Sequence, residues 1–495
     1  MTKDPKGQKN AHGVSRRNVL AASALTAAAS TMSLGAIGTA RAQNEDPLYD
    51  IVIVGAGLAG LTAARDLKKA GVNSFKVLEA RNRVGGRTLN QDLGRGAIAD
   101  AGGQWIGPTQ FAILELAREL GVATHPTFND GKIAVLINGD ATSVDGSNSI
   151  VTNVDFINAV DKLANDIPVN TPWSASQASE FDSMTFREWI VTQALSEEDL
   201  VALEASTALT FGAPPDAISF LHILQASKSA GGFSALEAIK GGAQQDRLVG
   251  GAQSLSLKMY EELRDHVQLE TPVTRILDWE SSSDACQLIT EKGIIRANQV
   301  IMALSPSLCN QIAFDSPLPP KRADLHRTWP VVSSGIKAQM RYREPFWRAK
   351  GFSGQSFSDS GPYIWSIDNS PADDSSGVLL CFLDQDVAPR DKESRKLQIA
   401  ETYVTCFGEE AAAPLSYVEK SWDDDPWTKG CVSPLAPGQL STLGEALRPS
   451  LGRLHWSGTE TSAFWTGYMD GAVRSGHAAA LKAMGALSAP PPVPG

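Results

Sequence analysis

Gly55, Gly57 and Gly60 form a G-x-G-x-x-G loop between the apolar run 51–54 and an Ala/Leu-rich segment. Such a loop can bind a pyrophosphate. Gly55 permits the tight turn, Gly57 lets the backbone approach the phosphates, and Gly60 lets helix and strand pack closely. Ala59 lies inside the loop, where the helix N-terminus offers free N–H groups to an anion. A second mostly apolar run, 75–78, ends at Glu79, 19 residues past Gly60, near the spacing of a ribose-binding carboxylate. Ala80 and Arg81 follow it, and then Arg83-Val84-Gly85-Gly86-Arg87, a second glycine-and-arginine loop. An NAD site needs no such loop. FAD is longer, and Arg87 could reach its pyrophosphate while Gly86 allows close backbone approach. The chemistry implied is redox chemistry on FAD.

These residues need strands and helices to hold them. Residues 47–130 read as alternating strands and helices, and 151–240 as mainly helical, including one helical pattern over 186–203. Strand signals return over 246–303, at 267–270, 273–277 and 300–304, and a β-rich section runs from 335 to about 385. A last helix begins near Tyr468 and passes Ala480. Cofactor signals thus fall at both ends and in the middle. The expected fold is α/β: a discontinuous Rossmann-type FAD-binding domain (47–130, 246–305 and 440–487) with an inserted α+β substrate domain (131–245 and 306–439).

The chain has 495 residues, 42% hydrophobic and 20% charged, which is ordinary for an enzyme of two or three domains. Five cysteines without a C-x-x-C pair suggest neither a disulfide framework nor a zinc site, and no metal is expected. Residues 1–42 read as a signal peptide: Ser15-Arg16-Arg17-Asn18-Val19-Leu20, an Ala/Ser/Thr-rich run, then Ala40-Arg41-Ala42. This resembles a twin-arginine export signal and implies a periplasmic or secreted protein. Its removal subtracts six bases from 44 and one acid from 55, leaving a net charge of −16. So acidic a body argues against nucleic acid as a partner. The C-terminus carries no apolar 20-mer, so no membrane anchor is expected.

Three further blocks carry a family resemblance. They are Asp100-Ala101-Gly102-Gly103-Gln104-Trp105-Ile106-Gly107-Pro108-Thr109-Gln110, then Ile336-Lys337 with Tyr342-Arg343-Glu344-Pro345-Phe346-Trp347-Arg348, and Gly458-Thr459-Glu460-Thr461 with Trp465-Thr466-Gly467-Tyr468-Met469-Asp470-Gly471. Over nearly all of residues 47–485 the chain resembles the flavin-containing monoamine oxidase family. The resemblance implies FAD-dependent oxidation of an amine to an imine by hydride transfer to flavin N5. The imine then hydrolyses to aldehyde or ketone, and O2 or a redox protein takes the electrons, O2 giving H2O2. It assigns Lys337 to a water near N5 and Tyr468 to one wall of an aromatic pocket that orients the amine. Gln104, Trp105, Glu460 and Met469 fall in the flavin-contacting blocks. Val273 would offer backbone groups to the adenine, and Trp422 would flank the ring.

In the mammalian members a cysteine at the place of Cys431 bonds to the flavin 8α carbon, whereas many microbial relatives lack that bond. The resemblance leaves both arrangements open here. The next residue is Val432, where those enzymes have a second pocket tyrosine. Primary and secondary amines both stay open as substrates, among them amines of the nicotine-breakdown type, and a homodimer is one option for assembly. The competing readings are an L-amino-acid oxidase, which needs an arginine clamp such as Arg341 or Arg343, and a flavin-binding protein without turnover.

Overall fold

Residues 51–54 are fully buried or nearly so, and that run of branched side chains makes the inner part of the strand Leu48–Val54. In the computed structural model, which describes residues 47–488 except 282, 334, 360 and 385–390, this strand lies inside an eight-stranded sheet. Phe75–Leu78 and then Val267–Gln268 pair parallel on one side of it. On the other side lies the long strand Gly293–Ala303, also parallel. The C-terminal half of that strand pairs parallel with Leu454–Ser457, and its N-terminal half antiparallel with Cys286–Thr290. Val273–Leu277 and Ala313–Phe314 complete the sheet. The last of these lies beyond residue 305. The export-like leader lies outside the described residues.

The helix Leu58–Lys69 packs against the C-terminal helix Met469–Ser488 beside the first strand. The contact is close: a Cβ on Gly476 would stand 2.4 Å from the carbonyl oxygen of Ala59.

A second, seven-stranded sheet runs in the order Ser416–Lys420, Ile336–Tyr342, Gly377–Leu383, Tyr363–Asp368, Phe352–Ser358, Lys132–Ile137 and Asp140–Val144. Its register decides which side chains meet. Lys337 lies opposite Phe382, and Phe382 opposite Trp365, so the three form a row on one face. Ala338, Met340, Leu379 and Cys381 point to the other face, into a core shared with the helix Lys392–Phe407.

Residues 154–237 supply the helical insert. The pattern over 186–203 is broken into Phe186–Ile190 and Glu197–Phe211, because Ser196 caps the second helix in a reciprocal capping box with Asp199. Leu209 and Ile239 of this region pack on the lysine face of the second sheet, against Trp105, Trp365 and Phe382. No described helix is long and apolar enough to cross a membrane.

Candidate active site

The two glycine loops meet at the C-terminal end of the first strand. Gly55 has φ +104°, and a Cβ there would stand 2.7 Å from the carbonyl oxygen of Ala303. Gly57 bridges Gly85 in parallel register, and Gly85 N–H donates to Ala56 O at 2.9 Å. A Cβ on Gly57 would meet only the Cα of Gly86, at 3.8 Å, so this face of the loop is open. Gly86 itself takes φ +56°.

Glu79 is buried and accepts hydrogen bonds from Ala56 N–H (2.8 Å) and Arg81 N–H (2.9 Å). It thereby ties the glycine loop to the end of the second strand. Ala80 lies half-buried between the bonded residues. Arg81 turns its guanidinium to Asp425, at 2.6 Å, and to Thr428. The segment leading to Val273 runs alongside, with Thr271 N–H donating to Glu79 O at 2.8 Å, and Val273 is buried.

Arg87 brings three distant segments together. Its guanidinium lies 2.8 Å from Glu460 Oε1 and donates to Cys431 O at 3.3 Å, and its carbonyl accepts from Gly103 N–H. Met469 Sδ would stand 3.2 Å from a Cβ on Gly103. Trp422 is buried and donates Nε1–H to Ala101 O at 2.9 Å, with its ring edge against Gly102. Trp427, by contrast, is 36% exposed and belongs to the surface.

FAD fits this arrangement. Glu460 is buried, and among the described residues its carboxylate oxygens accept no aligned hydrogen bond beyond the Arg87 ion pair at Oε1. Such oxygens call for donors from a ligand, and the hydroxyls of a ribityl or ribose group supply them. The open side of Gly57, the neighbouring Gly86 and Arg87 suit a pyrophosphate.

Lys337 enters from the second sheet and is 7% exposed. Its Nζ donates to Gly102 O at 2.8 Å and to Gln104 Oε1. It lies 5.2 Å from the Trp105 ring centre and 5.9 Å from that of Phe382. Burial pushes its pKa down to about 7, partly opposed by Asp100 and Cys431 and reinforced by Arg247. Burial raises the Asp100 carboxyl in turn, although Ala252 N–H donates to it at 2.7 Å.

A one-way chain of amides fixes the lysine's acceptor. Gln104 Nε2 donates to Asn369 Oδ1 (2.9 Å), Asn369 Nδ2 to Gln339 Oε1 (2.7 Å), and Gln339 Nε2 to Asp100 O (2.9 Å). Arg247 closes it from the other side, donating to Asn369 O at 2.8 Å and to Asn369 Oδ1. Each amide has one orientation that satisfies its neighbours, so Gln104 turns its oxygen to Lys337. A neutral amine has two N–H groups, and both are taken. The Nζ lone pair is what remains for a water proton or a substrate.

Tyr468 directly precedes the C-terminal helix Met469–Ser488, with its ring edge-on to Trp465 at 4.9 Å. Thr459 Oγ1 donates to its carbonyl at 2.7 Å, and its side chain packs on the core of the helical insert. Burial, then the Glu237 carboxylate, raises its hydroxyl pKa, so the phenol is neutral. Arg341 and Arg343 form no clamp. Arg341 is buried and donates to Leu93 O at 2.9 Å, while Arg343 is exposed.

Asn369, Gln339 and Arg247 went unseen in the sequence. Each is a polar residue at a strand or its end, and only the fold puts them behind Lys337. Glu237 went unseen too, as one acid on a short helix.

Residues 58–483 match the family described as flavin containing amine oxidoreductase. A putative flavin-containing monoamine oxidase of Mycobacterium tuberculosis is 38% identical over 88% of this chain and 96% of that relative. A probable flavin-containing monoamine oxidase A of Dictyostelium discoideum is 34% identical over 87% and 96%. Among solved structures, cyclohexylamine oxidase from Brevibacterium oxydans superposes with a TM-score of 0.81 at 31% identity, covering 90% of this chain and 100% of that one. Wild-type putrescine oxidase bound to putrescine gives 0.79 at 31% identity, covering 88% and 99%.

Proposed function

Because the chain belongs to the flavin containing amine oxidoreductase family, we propose a specific form of its reaction: a small amine enters uncharged and is oxidised beside its nitrogen. FAD, held by the glycine loops, Glu79 and Glu460, supplies the two-electron acceptor. The chain's own residues do the rest. Trp105, Phe382 and Tyr468 provide aromatic walls, and Lys337 Nζ takes or holds a proton at a water. The imine product hydrolyses outside the protein, and O2 accepts the electrons and becomes H2O2.

The observation that carries this reading is Lys337. It is a buried lysine with a pKa near 7 and both N–H groups engaged, anchored on Gly102, whose neighbour Gly103 donates to the Arg87 carbonyl. The L-amino-acid oxidase reading loses its support, since Arg341 is bound internally and Arg343 faces solvent.

Anaerobic mixing with a panel of primary, secondary and diamines should bleach the yellow holoenzyme, and admitting air should restore the colour with stoichiometric peroxide. A colourless protein that cannot be reconstituted with FAD, or a flavin no amine bleaches, would defeat the reading. Acid precipitation decides the Cys431 bond: a coloured pellet means a covalent link and a coloured supernatant means none.

We also propose that the protein is bacterial and exported by the twin-arginine route, on the motif Ser15–Leu20 and the Ala40-Arg41-Ala42 site. Replacing Arg16 and Arg17 together with lysine should keep the longer, uncleaved chain in the cytoplasm. Unchanged export would end the proposal.

A further inference from the structure

Arg247 sits on the middle strand of a small sheet made of Trp105–Ile106, Asp246–Leu248 and Thr124–Pro126, opposite Trp105 on one side and His125 on the other. It is 6% exposed. Its guanidinium donates to the backbone carbonyls of Asn369 (2.8 Å) and Ser370 and to Asn369 Oδ1, while its Nε has no partner. No described carboxylate forms an ion pair with it. Asp368 is taken by Arg348, at 2.7 Å, and by the Trp347 ring N–H, and Asp100 accepts from Ala252 N–H. His125 lies 3.4 Å from the guanidinium and is neutral, because burial and then Arg247 itself lower its pKa to about 4. A buried cation without a counter-charge is costly. Cores seldom keep one without a use for it.

Its hydrogen bonds lead to Lys337. Asn369 Oδ1 accepts from both Arg247 and Gln104 Nε2, and Gln104 Oε1 accepts from Lys337 Nζ. A turned Asn369 would set its NH2 against the guanidinium, donor to donor. Gln104 would then turn as well and offer its own NH2 to the lysine, spending the Nζ lone pair. Arg247 forbids that arrangement. Gln104 directly precedes Trp105, the residue paired with Arg247, so the cation and the glutamine share one bracket.

We propose that Arg247 is a positioning residue for the amine oxidation: it locks the Asn369–Gln104 relay and stands as an uncompensated positive charge behind Lys337, so that the lysine keeps a free lone pair. This rests on the amine oxidase reading above and deepens it. Besides burial, three groups bear on the lysine's charge: Asp100 and Cys431 favour the ammonium, and Arg247 opposes it. Arg247 itself stays charged at working pH, since burial lowers its pKa only to about 10, with Asp100 and Asp368 holding it up and Arg348 pressing it down. Removing the cation raises the lysine's pKa, and the lone pair is then lost at a higher pH.

The test follows flavin reduction by an amine, and reoxidation by O2, across pH in FAD-loaded enzyme. The wild type should show the Lys337 limb near pH 7. In Arg247→Gln the limb should move up by about half a unit or more, so that the rate at neutral pH drops about twofold or more and recovers in alkali. Arg247→Lys keeps the charge and should return the limb to its wild-type position. Asn369→Asp supplies Arg247 with the carboxylate it lacks, at nearly unchanged size, and should move the limb up as well; it carries the test if the Arg247 variants do not fold. A merely structural Arg247 would lower stability without moving the limb. An unmoved limb in Arg247→Gln, or in Asn369→Asp where that variant carries the test, would overturn the proposal. So would an Arg247→Lys limb displaced as far as that of Arg247→Gln. These results would leave amine oxidation standing, whereas a wild-type flavin that no amine bleaches would strike that reading and the proposal with it.

Discussion

Lys337→Met should slow amine-driven bleaching of the flavin, or its reoxidation by O2, by about 100-fold or more while FAD stays bound, the scale of losing a positioned acid–base group. The argument begins with the lysine's hydrogen bonds. Gly102 O and Gln104 Oε1 occupy two directions at Nζ, and the amide chain through Asn369, Gln339 and Arg247 prevents Gln104 from turning its NH2 inward. A third proton on Nζ would project toward the site and leave no lone pair. Protonation therefore switches the residue from acceptor to donor. Since burial lowers the pKa to about 7, the lone pair is present above that pH and lost below it. The affected rate constant should rise through a limb near pH 7 in the wild type, and Lys337→Met should lack that limb. Methionine matches the length and fills the slot between Trp105 and Phe382, so the holoenzyme should keep its visible spectrum. Stopped-flow traces of both half-reactions across pH decide the matter. Unchanged rates and an unchanged pH profile would remove Lys337 from the chemistry.

The difference between what could and could not be read from the sequence is one of distance along the chain. The glycine loop, Glu79 and the Arg83–Arg87 loop lie within 33 residues, and local turn chemistry determines how they meet. The apolar runs 51–54 and 300–304 also pointed to strands, found as Leu48–Val54 and the longer Gly293–Ala303, because a parallel strand buried on both faces must be continuously apolar. The site behind Lys337 is different. Gln104, Arg247, Lys337 and Asn369 come from four segments, and nothing local marks an asparagine at the end of a strand as the partner of a glutamine 265 positions earlier. The direction of Arg341 needed the register of the second sheet, which alternation alone does not supply. The Ser196 cap was legible in principle: serine followed three residues later by an acid is a start signal, but the continuous helical pattern over 186–203 masked it.

Gly57→Ala and Gly60→Ala should fail in opposite ways, although both sit in one six-residue motif. A Cβ on Gly60 would stand 2.0 Å from the carbonyl oxygen of Gly55, 3.1 Å from its carbonyl carbon and 3.2 Å from the Ala303 side chain. The nearest of these atoms are backbone, so no rotamer relieves the clash. The helix Leu58–Lys69 must move off the sheet, and that helix also carries the contact with the C-terminal helix. The expected cost is about 3 kcal/mol or more, seen as insoluble protein or a melting temperature lower by roughly 5 °C or more in the apoprotein. Gly57 has φ −76°, which alanine adopts freely, and its Cβ would meet only Gly86 Cα at 3.8 Å. The apoprotein of Gly57→Ala should therefore melt like the wild type, or slightly higher because its unfolded chain is less free. Its methyl group, however, occupies the open side between the two glycine loops, where the pyrophosphate would lie. FAD affinity should drop by about tenfold or more, a loss of at least ~1.4 kcal/mol. Comparing apoproteins keeps the cofactor's own stabilisation out of the melting temperatures. Wild-type FAD affinity in Gly57→Ala would mean that the phosphates lie elsewhere. An undisturbed Gly60→Ala would mean that helix and strand are less closely packed than the 2.0 Å approach requires.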